Sequence, residues 1–213
     1  MNAITTRDLI ALFEAIAGMI EANKDHLSEL DGVIGDADHG VTMGIGFSAV
    51  TEALAGLGAE AEPTQVFNTA AKSFLNAVGA SSGPLYATAF MRAGAAVKGK
   101  ASLDREAMVE VIAAMARGIQ ERGKATRGEK TMVDAWLPAA EAAEAARDAG
   151  KPLAACLAAA AAAAAEGAES TKAMTASKGR ASRLGERALG HMDPGAKSAA
   201  LILETIADHF TAA

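Results

Sequence analysis

Apolar residues recur at helical spacing along most of the chain. Leu9, Leu12, Phe13, Ile16 and Ile20 mark one stripe within residues 5–23. Thr5, with Asp8 three places on, makes a variant capping box at its start. A second helix is expected from about 40 to 57, ending near Gly56 and Gly58. Pro63 suits the first turn of a third helix reaching about 77, and a fourth covers about 84–98. Ser102 caps a fifth, with Asp104 and Glu106 in the first turn, where the helix dipole favours acids. Met108, Val111, Ile112, Met115 and Ile119 form its buried stripe. Helices near 130–149 and 152–175 follow, and Asp193 and Pro194 open a last one over about 194–211. No stretch reads as a convincing strand. The pattern predicts eight helices in one all-α domain spanning residues 1–213.

Composition sharpens this picture. Hydrophobic residues make up 51% of the 213 and aromatics only 4%, with alanine in long runs. Small helix-forming side chains imply closely packed helices. The formal net charge of −6 disfavours general binding to nucleic acid or an anionic membrane. The apolar run Leu153–Ala165 is shorter than the ~20 residues that cross a bilayer, so a buried helix is expected there. The N-terminus lacks the basic-then-apolar pattern of a signal peptide. A single cysteine, Cys156, excludes an internal disulfide and fits a reducing compartment; within its alanine-rich run it reads as a small core residue. A cytoplasmic protein with no nucleic-acid or membrane partner is expected.

The chemistry lies between the helices. Asp31, Asp36 and Asp38 fall within eight residues, with glycines 32, 35 and 40 allowing sharp turns. Crowded carboxylates repel unless a cation neutralises them, and an all-oxygen set suits a hard ion such as Mg²⁺ or Ca²⁺. An EF-hand is excluded: Gly40 stands where a ligand is required, and no Glu closes a twelve-residue loop. Because Mg²⁺ takes many of its oxygens from water and phosphates, a Mg-nucleotide site is the first expectation. Val78–Pro84 is a small-residue loop whose amides can approach an anion, without the lysine of a Walker A loop. Arg122–Lys130 is a basic connection. The glycine-rich stretch 177–195 carries Lys178, Arg180, Arg183 and Arg187, of which the first three could together offset phosphate charge.

Four stretches together carry a resemblance. Ile34-Gly35-Asp36-Ala37-Asp38-His39-Gly40 comes first, then Gly79 to Leu85, then Gly128-Glu129-Lys130-Thr131-Met132. The fourth is Lys178-Gly179-Arg180 through Arg187, running into Gly190-His191 and Asp193-Pro194-Gly195. In order and spacing the chain resembles the nucleotide-binding L subunits of dihydroxyacetone kinases, the DhaL or DAK2 domain family. The resemblance implies an up-and-down barrel of eight helices holding ADP or ATP in the loops at one end. Asp31, Asp36 and Asp38 would hold two Mg²⁺; His39, Gly40, Val41 and Thr42 would border the nucleotide; Ser81 and Ser82 would meet phosphate. Gly123 and Met132 would lie along the adenine, with Arg180 and Asp193, Pro194 and Gly195 closing the site. Arg180 is the candidate phosphate stabiliser. Departures from the family pattern are Thr42 for a usual Asn, Glu129 for Asp, Met192 for Gln and Ser81 for Ala.

The resemblance also implies a division of labour. The acceptor ketose would sit on a separate K subunit, and a phosphotransferase-system M subunit would recharge bound ADP. The alternatives are a subunit that exchanges ATP and serves another small ketose, or a nucleotide-state sensor that binds a transcriptional regulator. A homodimer is the expected assembly.

Overall fold

A computed structural model describes residues 3–58, 60–79 and 82–211. The first helix, α1 (Thr6–Ala22), starts at the capping box expected for it. The Thr5 amide donates to the Asp8 carboxylate at 2.8 Å, and the Asp8 amide donates to Thr5 Oγ1 at 3.3 Å. At Asn23 the backbone breaks (φ −107°, ψ 7°), and the chain resumes as α2 (Lys24–Ile34). The sequence pattern places that stretch in the acidic loop. It is hard to read as helix because its inward positions are Leu27, Asp31 and Ile34, so an acid interrupts the apolar stripe.

Then come α3 (His39–Leu54), α4 (Pro63–Ala77), α5 (Ser82–Ala96), α6 (Arg105–Gly123), α7 (Val133–Asp148), α8 (Leu153–Ser170) and α9 (Pro194–Thr211). Helices α1 and α2 both lie along α3 and act as one broken rod. Each later helix packs on its predecessor, and α9 packs on both α8 and α1, which closes the ring. The result is the expected all-α, up-and-down barrel. Two 3-10 segments, Thr171–Ala173 and Arg180–Ala188, lie between α8 and α9. Among the described residues the only bridge outside the helices is the isolated Ile4–Leu103 pair.

Alternation of rod direction decides where the loops go. In a closed up-and-down ring, every second connection lies at the same end. The turns after α2, α4, α6 and α8 therefore share one end of the barrel. These are the four stretches that carry the acids, small residues and cations. The same rule brings the N-termini of α3, α5, α7 and α9 to that end.

Aromatic rings fill one side of the barrel and small residues the other. Phe47 meets Phe74 edge-on with centroids 5.3 Å apart, and Tyr86 meets Trp136 at 6.5 Å. Where α7 crosses α8 the inward residues are Ala135, Ala139, Ala160, Ala164 and Gly167. A Cβ on Gly167 would sit 2.0 Å from the Asp134 carbonyl oxygen, so only glycine lets the two backbones approach this closely. By length and composition the span Leu153–Ala173 is apolar enough to cross a membrane. It lies instead in the barrel wall between α7 and α9, with Cys156, Leu157 and Ala160 turned inward.

Candidate functional site

The three aspartates converge. Asp31 stands in the last turns of α2 and is only 9% exposed. Its Oδ2 accepts the backbone N–H of Asp38 at 2.9 Å and of His39 at 3.3 Å. Asp31 thereby satisfies amides at the start of α3, whose N-cap residue makes no side-chain cap of its own. Asp36 and Asp38 flank Ala37, which is held at φ 63°, in the left-handed region. One oxygen from each of the three carboxylates lies within 4.8 Å of the others. Arg180 closes over them, 2.9 Å from Asp36 Oδ2 and 4.0 Å from Asp38 Oδ2. Withdrawal from water, followed by the charges of Asp36 and Asp31, pushes the Asp38 carboxyl above the usual carboxylate range. Crowded anionic oxygens of this kind fit a hard divalent cation.

Beside the carboxylates opens a cavity of about 500 Å³. Its polar lining comprises Asp31, Asp38, Thr42, Ser82, Lys178 and Arg180 among others. Its apolar lining includes Val78, Leu85, Ile119, Ala125 and Met132, with Gly123. Residues at the first turns of α3, α5, α7 and α9 all reach it. Four helix N-termini bring their positive dipole ends to one space, which favours an anion there.

A network of loop contacts holds this lining. Asp134, buried in the first turn of α7, accepts the Gly128 amide at 2.6 Å and the Thr131 amide at 2.9 Å. Glu129 accepts the Thr126 amide and the Ser177 hydroxyl, each at 2.6 Å, which ties the α6–α7 loop to the segment carrying Arg180. Lys130 is 1% exposed and donates to the carbonyls of Thr171, at 2.6 Å, and His191. Burial pushes its ammonium below the usual lysine range. Asp193 caps α9 by accepting the Ala196 amide at 2.7 Å, and removal from water pushes its carboxyl up to about 7. His39 lies 2.9 Å by Nε2 from Ser198 Oγ, which itself donates to the Gly195 carbonyl at 3.0 Å. With the Ser198 proton given to Gly195, the hydroxyl oxygen is left to accept from a protonated Nε2. Burial pushes that imidazole down to about 4.

Of the residues singled out in the sequence, Asp31, Asp38, His39, Thr42, Ser82, Gly123, Met132, Arg180, Asp193, Pro194 and Gly195 line the cavity. Asp36 joins them through the carboxylate cluster. Gly40 and Val41 do not line it. Gly40 underlies the α2–α3 contact, where a Cβ would meet the Lys24 carbonyl oxygen at 1.9 Å, and Val41 is 48% exposed. Ser81 lies outside the described residues. The structure adds Lys130, Asp134 and the apolar side chains of Leu85 and Ile119. Asp134 looks like any first-turn acid in sequence, and Lys130 like any cation in a basic loop.

Fold and site together define an all-α barrel with an acid-lined, anion-attracting cavity at one end. The family model of the DAK2 domain matches residues 33–208, and the chain belongs to that family. It is 41% identical over 190 residues to the ADP-binding subunit DhaL of a PEP-dependent dihydroxyacetone kinase of Listeria innocua, covering 88% of each chain. It is 39% identical over 189 residues to the corresponding Escherichia coli subunit, covering 89% of this chain and 90% of that one. Among solved structures it resembles the dihydroxyacetone kinase from C. freundii in complex with AMP-PNP and Mg²⁺, with a TM-score of 0.72 and 27% identity. That match covers 98% of this chain and 35% of the other, so the chain spans about a third of that kinase. These relatives are kinases and kinase subunits, and the chain is of their phosphotransferase class.

Proposed function

We propose that this chain is the nucleotide-binding, phosphoryl-donating subunit of a cytoplasmic dihydroxyacetone kinase, delivering phosphate to a ketose held on a separate K-type subunit. One observation carries the reading. Three carboxylates and Arg180 meet beside a cavity that Leu85, Ile119 and Met132 also line. That combination suits a ligand with an aromatic base at one end and metal-bound phosphates at the other.

Asp31, Asp36 and Asp38 would hold two Mg²⁺, which neutralise phosphate charge when bound. The chain's own residues then have separate tasks. His39 and Thr42 at the start of α3, with Ser82 at the start of α5, border the phosphates, and the family resemblance assigns Ser81 to phosphate as well. Gly123 and Met132, joined by Leu85 and Ile119, border the adenine. Asp193, Pro194 and Gly195 close the remaining side, while Gly40 and Val41 serve the site by holding and flanking the first turn of α3. Arg180 supplies the positive charge aimed at the transferring group, because phosphoryl transfer depends mainly on positioning and charge neutralisation. The PEP-dependent naming of the relatives supports a bound ADP recharged by a phosphotransferase-system M subunit.

The test is the nucleotide content of the chain purified with Mg²⁺, read by acid release and mass spectrometry, then exchange against labelled ATP. Near-stoichiometric ADP that scarcely exchanges supports the recharged-coenzyme cycle. Ready exchange supports direct use of ATP. A chain that arrives empty and fails to bind Mg-ATP ends the proposal.

A further inference from the structure

We infer that Lys130 is a positioning residue of the nucleotide site, whose buried ammonium sets the spacing between the cavity wall at Met132 and the wall at Asp193–Gly195. The inference rests on the nucleotide reading above and deepens it.

Two features of Lys130 work against local stability. Its side chain is among the largest that are fully buried, and burial of an ammonium is costly unless its protons find partners. Its backbone sits at φ 59°, a left-handed conformation that is unfavourable for a non-glycine residue. Glycine or asparagine would occupy that conformation more cheaply. A position that combines both costs is held there by its surroundings.

What the ammonium does is specific. It donates to the Thr171 carbonyl at 2.6 Å and also to the His191 carbonyl. The first lies just after α8 and the second just before α9, so one charged group ties together both ends of the long connecting segment. The Asp193 amide, two residues beyond His191, donates to Thr171 Oγ1 at 2.9 Å and extends the same tie.

The walls touch where the tie holds them. A Cβ at Gly195 would lie 3.5 Å from Met132 Cε and 3.6 Å from Met132 Cβ. Met132 is two residues from Lys130, and Gly195 is four from His191. A shift of the His191 carbonyl therefore moves Asp193–Gly195 relative to Met132 and alters the width of the cavity. Misplacement of about 1 Å in such a site can cost on the order of a hundredfold. Neighbouring Glu129 holds the outer part of the segment through Ser177, so the dipeptide secures front and back separately.

The experiment measures Mg-ADP affinity by calorimetry for the unaltered chain, Lys130→Met and Lys130→Ala, with helical content followed by circular dichroism. Lys130→Met keeps the length and loses the charge. We expect roughly tenfold to a hundredfold weaker binding at unchanged helical content. Propylammonium should restore affinity to Lys130→Ala, while propanol at the same concentration should not. That selective rescue is not expected of a residue that merely fills space. Should Lys130→Met fail to fold, Lys130→Ala folded in propylammonium gives the same reading, since its affinity should track the amine concentration. Affinity in Lys130→Met within about twofold of the unaltered chain, or affinity in Lys130→Ala indifferent to the amine, overturns the inference alone. An unaltered chain that does not bind Mg-ADP overturns the nucleotide reading and this inference with it.

Discussion

Arg180 reaches from the segment before α9 to lie 2.9 Å from the carboxylate of Asp36, at the turn before α3. Both side chains keep contact with water, so the pair adds only about 0–1 kcal/mol to stability. Its value lies in placing a cation beside the carboxylates where phosphate charge would gather. Arg180→Ala is accordingly expected to shift the melting point little. It should slow single-turnover transfer to a K-type partner by roughly a hundredfold. Unchanged transfer with an intact partner would remove Arg180 from the phosphate role.

The aspartates should separate into two kinds. Among the described residues Asp36 accepts no backbone amide as Asp31 does, so Asp36→Ala relieves repulsion and leaves the helices intact. Mg-nucleotide binding should be abolished, and calorimetry with wild-type affinity in this variant would refute the metal assignment. Asp31 also accepts two amides at the start of α3. Asp31→Ala should therefore lose binding and about 1–2 kcal/mol of stability as well, the usual scale for a lost helix cap. Equal urea midpoints for the two variants would contradict this division.

Gly167 connects the barrel wall to the site from behind. Its Cα faces the carbonyl of Asp134, and the Asp134 carboxylate holds the Gly128 and Thr131 amides. A methyl group there must push α7 away from α8. Gly167→Ala should cost about 1–3 kcal/mol, the scale of overpacking, despite alanine's better helix propensity. It should also weaken nucleotide binding, because Thr131 and Met132 line the cavity. A more stable protein, as propensity alone would give, would show that the helices separate freely.

Most of the architecture could be read in the chain because eight of its segments announce themselves through apolar spacing and caps. Thr5 with Asp8 forms the start expected of it and Asp193 caps the last helix as expected, whereas α6 is capped not by Ser102 but by Asp104, two residues on, whose carboxylate accepts the Ala107 amide. The exception, α2, hides because Asp31 takes an inward position that a core helix would give to an apolar residue. The candidate site was partly legible for the same reason: acids and cations stand out against alanine-rich helices. Its apolar lining was not, since Leu85 and Ile119 look like ordinary stripe residues until the barrel closes. Lys130 escaped because neither a left-handed φ nor an ammonium bound to distant carbonyls leaves a mark in a basic loop. Gly40 and Val41, which the family resemblance implies at the nucleotide, stand off the cavity lining between His39 and Thr42, because a helix turns successive residues to different sides.

Two titrating groups at the site should oppose one another in acid. His39 is pushed down from 6.5 to about 4, so between those values the unfolded chain holds a proton that the folded chain refuses. Its contribution to stability is present above the unfolded value and is lost as pH falls toward about 4. Asp193 is pushed up from 3.8 to about 7, so the folded chain keeps a proton that the unfolded chain releases. Its contribution is present at low pH and is lost as pH rises toward about 7. Across most of the shared window the two slopes have opposite sign and largely cancel. Single substitutions should expose them. Asp193→Asn leaves the His39 slope, so stability relative to wild type should rise with pH between about 4 and 6.5. His39→Gln leaves the Asp193 slope, and relative stability should fall over the same range. One proton sets a ceiling of about 1.4 kcal/mol per pH unit on either slope. Urea unfolding at several pH values, without Mg²⁺ or nucleotide, reads both. Difference profiles of the same sign would mean that burial does not govern both groups. Two flat profiles would mean that neither group is held as far from water as its position between α3 and α9 requires.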